Sequence, residues 1–383
     1  MSDLFDHCDI AIVGAGPSGC ACALALHGSG LRIALIDQAV FPRDKICGDA
    51  IPGPAFKAMD QIKPEWGQRM RQFADKTDIR TSKIFAPNGK TLAVDWISYA
   101  YNSKRLDFDH FLVQLVLSDT ETRMTNKRLI TISEENDGLR CHFQDGSSLK
   151  TALIIGCDGA NSRVKKQLDK SGGADKPGAV AVRVYFGGIE GVEAGVNEFH
   201  FFHEWPGYFW IFPLAGGFTN IGFGISREHS STTLVNLRDS LQKIITTSPG
   251  VAPRFKHATP LEKTKGFALP VWVGKIAISG DRFMLCGDAA SLIDPLQGHG
   301  IDKAMWSGLL AAKQAIRCFE SNDFTARQMA QYDQWVYRKM GAELSRSSRM
   351  MRLFLKFPWM INVVVWIGQN RKFMQWAIRK LKI

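Results

Sequence analysis

Residues 9–19 read DIAIVGAGPSG. Asp9 to Val13 is a short apolar run, the pattern of a buried strand. It enters Gly14-Ala15-Gly16-Pro17-Ser18-Gly19, then an alanine-rich stretch to about Gly28, then a second apolar run, Leu31 to Ile36, ending at Asp37. Strand, glycine turn, helix, strand and acid form the context that a dinucleotide fingerprint requires. Gly14 permits the tight turn, Gly16 lets a pyrophosphate approach the backbone, and Gly19 allows close helix–strand packing. Pro17 and Ser18 open the helix, where a missing proline N–H leaves nothing unpaired and the free N–H groups face a phosphate. Asp37 is placed to accept from ribose hydroxyls.

Two further segments repeat the strand-to-turn pattern. Leu153 to Gly159 (LIIGCDG) is an apolar strand closing on Asp158-Gly159, followed by ANSRVKK. Phe283 to Ala290 (FMLCGDAA) is another, ending in Gly287-Asp288 and continuing as SLIDPLQGHGIDKAM, a proline- and glycine-rich turn that opens a long helix. GAGPSG with Asp37, CDGANSRV and GDAASLIDP together resemble FAD-dependent proteins of the p-hydroxybenzoate hydroxylase-like fold. The resemblance implies FAD as the cofactor, with Asp288 at the ribityl chain. It also puts Pro295, Gly298, His299, Gly300 and Ile301 at the pyrimidine side, where a helix N-terminus stabilises the negative charge of reduced flavin.

Within that fold, FPRDKICGD (41–49) and KRLDFD (104–109) resemble the geranylgeranyl reductase branch. The resemblance puts Arg43, Lys45, Cys47, Gly48 and Arg105 near the cofactor. Lys45 beside Cys47 would favour its thiolate. The same branch carries Tyr-x-Trp-x-Phe-Pro on the strand lining its substrate cavity, and GYFWIFP (207–213) matches it at each fixed position. Alternation puts Tyr208, Trp210 and Phe212 on one strand face and Phe209 and Ile211 on the other. Ring faces stabilise positive charge developing on an alkene carbon by ~0.5–2 kcal/mol per contact, and they line an apolar cavity suited to an isoprenoid.

The implied activity is hydride transfer from reduced flavin to C=C bonds of an isoprenoid or polyene lipid. Tyr208, His299 and an ordered water are the candidate proton donors. His299 stands where the reductases often carry an acid. The rival reading is an FAD-dependent monooxygenase or halogenase. Hydroxylases of the fold commonly read Gly-Asp-Ala-Ala-His, where this chain has Ser291. Halogenases read Trp-x-Trp-x-Ile-Pro, where it has Tyr208 and Phe212. With no second dinucleotide fingerprint, the electron donor is open among NAD(P)H, ferredoxin and quinol. His200 and His203, three apart on a strand, point to opposite faces and are assigned to structure rather than to a metal.

The expected fold class is α/β: a Rossmann-type FAD-binding domain with a parallel sheet, interleaved with an antiparallel-sheet substrate domain and followed by a C-terminal helical segment. The cofactor domain is discontinuous (1–75, 100–178 and 276–335). The substrate domain takes 76–99, a hairpin turning at Asn88-Gly89, and 179–275. The tail is 336–383.

The net charge of +11 over 383 residues belongs to that tail. No acid follows Glu343, while nine cations do; taken from 48 Lys and Arg they leave 39, against 37 acids. That near-balance argues against a nucleic-acid surface. Eight cysteines without a framework, and an acidic start with no cationic leader, fit reduced thiols in the cytoplasm. Leu353 to Gly368 is apolar but interrupted by Lys356, Pro358 and Asn362. Beyond it, Phe373, Met374, Ala377, Ile378 and Leu381 oppose Arg371, Arg379 and Lys382 around a helix, a basic amphipathic end suited to an anionic membrane surface.

Overall fold

The computed structural model describes residues 6–170, 178–205, 207–226 and 236–370. In chain order the principal elements begin with β1 (His7–Val13), α1 (Pro17–Ala25), β2 (Ile33–Asp37), β3 (Thr77–Phe85), β4 (Thr91–Asn102) and α2 (Arg105–Asp119). Next come β5 (Ser148–Gly156), β6 (Ala179–Gly187), β7 (Val196–His200), β8 (Gly207–Pro213) and β9 (Phe218–Ser226). The last are β10 (Phe283–Leu285), α3 (Ile301–Ser321), α4 (Ala326–Lys356) and α5 (Met360–Gly368).

The first sheet has the order β10–β5–β1–β2, then Arg123–Asn126, and these strands are all parallel. Ile12 pairs with Ile155, and Ile155 with Met284, so the three apolar segments separated in sequence lie side by side. Parallel strands are covered on both faces, which is why Ile10, Ile12, Leu35 and Ile155 are fully buried and uniformly apolar. Helices α1 and α3 close one face in tight contact: a Cβ on Gly308 would lie 2.2 Å from the Ser18 carbonyl oxygen.

The second sheet runs β6–β9–β8–β7–β3–β4. It is antiparallel except between β7 and β3, which pair in parallel, Phe199 with Ile84. The expected antiparallel substrate sheet is thus present, with one parallel pair inside it. No short turn joins β3 to β7, and only a tight hairpin forces antiparallel pairing. The β3–β4 hairpin turns at Asn88-Gly89 as its sequence predicts, with Gly89 N–H donating to the Ala86 carbonyl at 3.0 Å. On one face, Phe209, Ile211, Ile221 and Phe223 are fully buried against the helix Leu237–Thr247. Residues Ala50–Ile51 pair with the far end of β4, so the loop carrying Cys47 is stitched to this sheet although it follows the nucleotide strand β2.

Helix α4 runs unbroken through the boundary expected at 335/336. It stops before Pro358, where α5 turns away by 117°. Val365 of α5 is buried with Ala86 and Leu92 of the hairpin. No single described helix is long and apolar enough to cross a membrane. The basic amphipathic end expected at 371–383 lies outside the described residues.

Candidate active site

The glycine turn is built by exclusion. Gly14 has φ +104°, and a Cβ there would lie 2.2 Å from the Cys157 carbonyl oxygen. A Cβ on Gly19 would lie 1.8 Å from the Gly14 oxygen. Both glycines therefore serve contacts between β1, α1 and the end of β5. Gly16 differs, since a Cβ there meets nothing closer than the Arg43 Nη2, 3.7 Å away. That opening, at the N-terminus of a helix with Pro17 in its first turn, is the space a pyrophosphate needs. The residues therefore fit a dinucleotide. Asp37 ties the turn to β2, its Oδ2 accepting from Ala15 N–H at 2.8 Å and its Oδ1 from Ala39 N–H at 2.9 Å.

The other predicted cofactor residues gather around this opening through charge. Asp109 of α2 is fully buried and accepts from Arg105 Nε and Nη2, each at 2.6 Å, and from Arg43 Nη1 at 2.7 Å. Burial works against its charge, but Arg105, with Arg43 and Lys45, outweighs it and lowers the Asp109 pKa. Lys45 Nζ reaches Asp288 Oδ2 at 3.1 Å across 243 residues, so its cation faces the GDAA turn rather than Cys47. Gly287 has φ +58° and donates its N–H to Ser307 at 3.0 Å. The Asp158 carboxylate is engaged locally, accepting from Ser162 Oγ, Arg163 N–H and Val164 N–H at 2.5, 2.6 and 3.1 Å. It shapes the turn in which Gly159 sits at φ +76°.

In the turn before α3, Asp294 Oδ1 accepts from Leu296 and Gln297 N–H at 2.9 and 2.8 Å, while its buried Oδ2 has no partner among the described residues. His299 lies between Asp302 Oδ1 and Gln297 Oε1, both at 2.9 Å. Burial opposes its charge, yet the Asp302 carboxylate raises its pKa overall. Tyr208, from β8, donates to the Gln297 carbonyl at 3.0 Å, and a Cβ on Gly298 would lie 2.5 Å from its hydroxyl. Burial, with Asp294 nearby, pushes the Tyr208 phenol pKa well up, so it holds its proton at neutral pH.

The aromatic strand alternates as predicted. Trp210 lies 6.0 Å from Tyr208 and 6.2 Å from Phe212, ring centre to ring centre. A Cβ on Gly48 would sit 3.4 Å from Phe212 and 3.8 Å from Trp210 Nε1. One on Gly222 would overlap the indole at 2.2 Å. The indole therefore lies against a bare glycine on β9, under the Cys47–Gly48 turn. Trp210 and Phe212 are each 5% exposed, so they are not walls of an open slot: they back the loop, while Tyr208 and Cys47 are only half-buried.

Sequence reasoning missed several participants. Phe199 on β7 contacts Phe212 and Tyr208 at 5.2 and 5.6 Å. Asn220 takes the Trp210 N–H at 2.9 Å. Asp49 and Asp109 anchor the loop and its arginines. Asp109 carried a signal as the last residue of the Arg-x-x-Phe-Asp pattern, and Asp49 closes the quoted FPRDKICGD segment. His200 pairs with Glu198 at 2.9 Å and stacks on Phe85, in a cluster with Arg254.

A nucleotide turn on a parallel sheet, joined through one charged loop to an aromatic strand of a second sheet, defines a flavin-binding oxidoreductase. The chain belongs to the FAD binding domain family, whose model matches residues 7–314, and it is an FAD-dependent oxidoreductase. It is 25% identical over 359 residues to a digeranylgeranylglycerophospholipid reductase of Methanoculleus marisnigri, covering 91% of this chain and 86% of that one. It is 28% identical over 332 residues to a menaquinone reductase of Mycobacterium tuberculosis, covering 80% and 76%. A geranylgeranyl bacteriochlorophyll reductase-like structure from Thermoplasma acidophilum superposes with a TM-score of 0.80 at 20% identity, over 97% and 96% of the two chains. Flavin-dependent halogenases share the fold at 20% identity or less.

Proposed function

We propose that the chain saturates C=C bonds in the polyprenyl portion of a membrane lipid or quinone. The observation carrying this is the meeting of Tyr208 with Gly298 and of Trp210 and Phe212 with Gly48, which brings an aromatic, apolar surface to the cofactor loops. When bound and reduced, FAD supplies a hydride equivalent. The chain's own part is to hold that surface dry, with Tyr208, Phe199, Phe267 and Leu269 in one apolar cluster. Cys47 is the half-buried thiol of the loop. His299, its charge favoured by Asp302, sits before the α3 N-terminus, where a cation and helix N–H groups favour an anionic cofactor.

Anaerobic incubation of the holoprotein with dithionite and a membrane lipid extract is expected to add two mass units per bond to a polyprenyl species. Product formed only in air, gaining oxygen or halogen, would overturn the reading. Repeating the anaerobic assay with NADPH, reduced ferredoxin or a quinol in place of dithionite identifies the donor.

A lipid substrate also accounts for the α4–α5 elbow, proposed here as a docking site on the cytoplasmic membrane surface. Trp359, Val363, Val364 and Trp366 are exposed, beside exposed Arg346, Arg349, Arg352 and Lys356. Apolar residues flanked by cations suit the surface of an anionic bilayer. Changing Trp359 and Trp366 together to aspartate is expected to reduce co-sedimentation with phosphatidylglycerol vesicles about tenfold. Unchanged pelleting would count against docking through α5.

A further inference from the structure

We propose that Asp49, acting through Asn220, is the positioning residue that fixes both the Trp210 indole and the Cys47–Gly48 turn. The proposal rests on the reading above only in placing that turn beside the cofactor.

Asp49 has φ +65°. That left-handed conformation is unfavourable for a residue with a Cβ, less so for Asp than for most, and it persists where the surroundings hold it. Here the surroundings do. The Asp49 carbonyl accepts from Ser103 N–H at 2.9 Å. Its buried carboxylate takes Tyr185 Oη–H at 2.7 Å and Asn220 Nδ2 at 2.8 Å on Oδ2, and Arg105 N–H at 3.3 Å on Oδ1.

Asn220, on β9, is itself fully buried. Its amide nitrogen donates to Asp49 Oδ2 and to the Cys47 carbonyl, both at 2.8 Å, and its oxygen accepts from Trp210 Nε1 at 2.9 Å. An amide can present either end to a partner, but here only one orientation works. An ionised carboxylate and a carbonyl only accept, and an indole N–H only donates. The indole, the Cys47 carbonyl and the Asp49 carboxylate all demand the same amide orientation, and the Asp49 charge strengthens a chain that runs from β6 through β9 to the indole on β8 and the cofactor loop.

Protonation would weaken that chain rather than reverse it: a neutral Asp49 still accepts from Asn220, but without the charge that strengthens the bond. Burial is the largest influence on Asp49 and raises its pKa to about 6. Tyr185 and Arg183 from β6, Asn220 from β9 and Arg105 from α2 pull the other way. The Cys47 carbonyl joins the same cluster from the loop. The indole is thus held most firmly while Asp49 is ionised, and that support weakens as the carboxyl takes up its proton.

The test labels the FAD-loaded protein with 5-fluorotryptophan and follows its ten tryptophans by fluorine NMR, assigning Trp210 by its disappearance in Trp210→Phe. The Trp210 resonance is expected to titrate with a midpoint near 6. In Asp49→Asn it should be displaced and flat from pH 5 to 8, with the other nine unmoved and turnover reduced about tenfold. A flat wild-type resonance overturns the proposal. So does a titration that survives Asp49→Asn, which would belong to His299. If Asp49→Asn scatters all the resonances, Tyr185→Phe decides instead. Removing that donor should raise the wild-type midpoint, and an unmoved midpoint refutes the proposal. The resonance readings do not depend on the lipid substrate; only the turnover does.

Discussion

Gly16→Val is expected to yield a folded, colourless protein. Gly16 has φ −78° and ψ −172°, a region open to any residue, and a Cβ there touches no protein atom within 3.5 Å. The substitution should therefore leave the melting temperature of the cofactor-free protein within a few degrees. The isopropyl group would instead occupy the space at the α1 N-terminus through which a pyrophosphate reaches the free N–H groups. Loss of at least about 100-fold in FAD affinity follows, some 2.7 kcal/mol, readable by titration of flavin fluorescence. Gly14→Val makes the contrast. With φ +104° and a backbone oxygen 2.2 Å from its Cβ, it should fail by misfolding. A yellow Gly16→Val protein with native affinity would place the cofactor elsewhere.

The second large effect is expected at Trp210. Truncation to alanine removes an indole that is 5% exposed and leaves the Asn220 oxygen without a donor in a buried place. Large-to-small changes of this kind cost ~3–5 kcal/mol, and the orphaned acceptor about 1–3 more. The denaturation midpoint should fall clearly. Because Trp210 lies under Gly48, the loop above it should loosen as well, and turnover should drop ~10–100-fold even in protein saturated with FAD. Trp210→Phe keeps much of the packing but not the N–H, so it should recover stability more than turnover. Turnover per folded, FAD-loaded molecule equal to wild type in Trp210→Ala would make the indole a core residue and nothing more.

The burial of Trp210 and Phe212 shows where sequence reading stops. Alternation along GYFWIFP correctly sends Phe209 and Ile211 to one core and Tyr208, Trp210 and Phe212 to another. It does not say what covers the second face. The cover is the Cys47–Gly48 turn, held there by Asn220 from a strand 173 residues away. Lys45 met the same limit. Its neighbour in sequence is Cys47, but its partner in space is Asp288.

The sequence alone determined the nucleotide turn, the three parallel strands and the side-chain alternation of the aromatic strand. Each follows from local constraints: glycine where a Cβ would strike backbone, apolar runs where both faces are covered, and a two-residue period in a pleated chain. The tertiary structure alone decided the parallel pairing of β7 with β3, the pairing of Lys45 with Asp288, and the Asp49–Asn220–Trp210 chain. Those depend on which distant polar group arrives within about 3 Å. Buried donors and acceptors must be satisfied, but no spacing along the chain states which partner will do it.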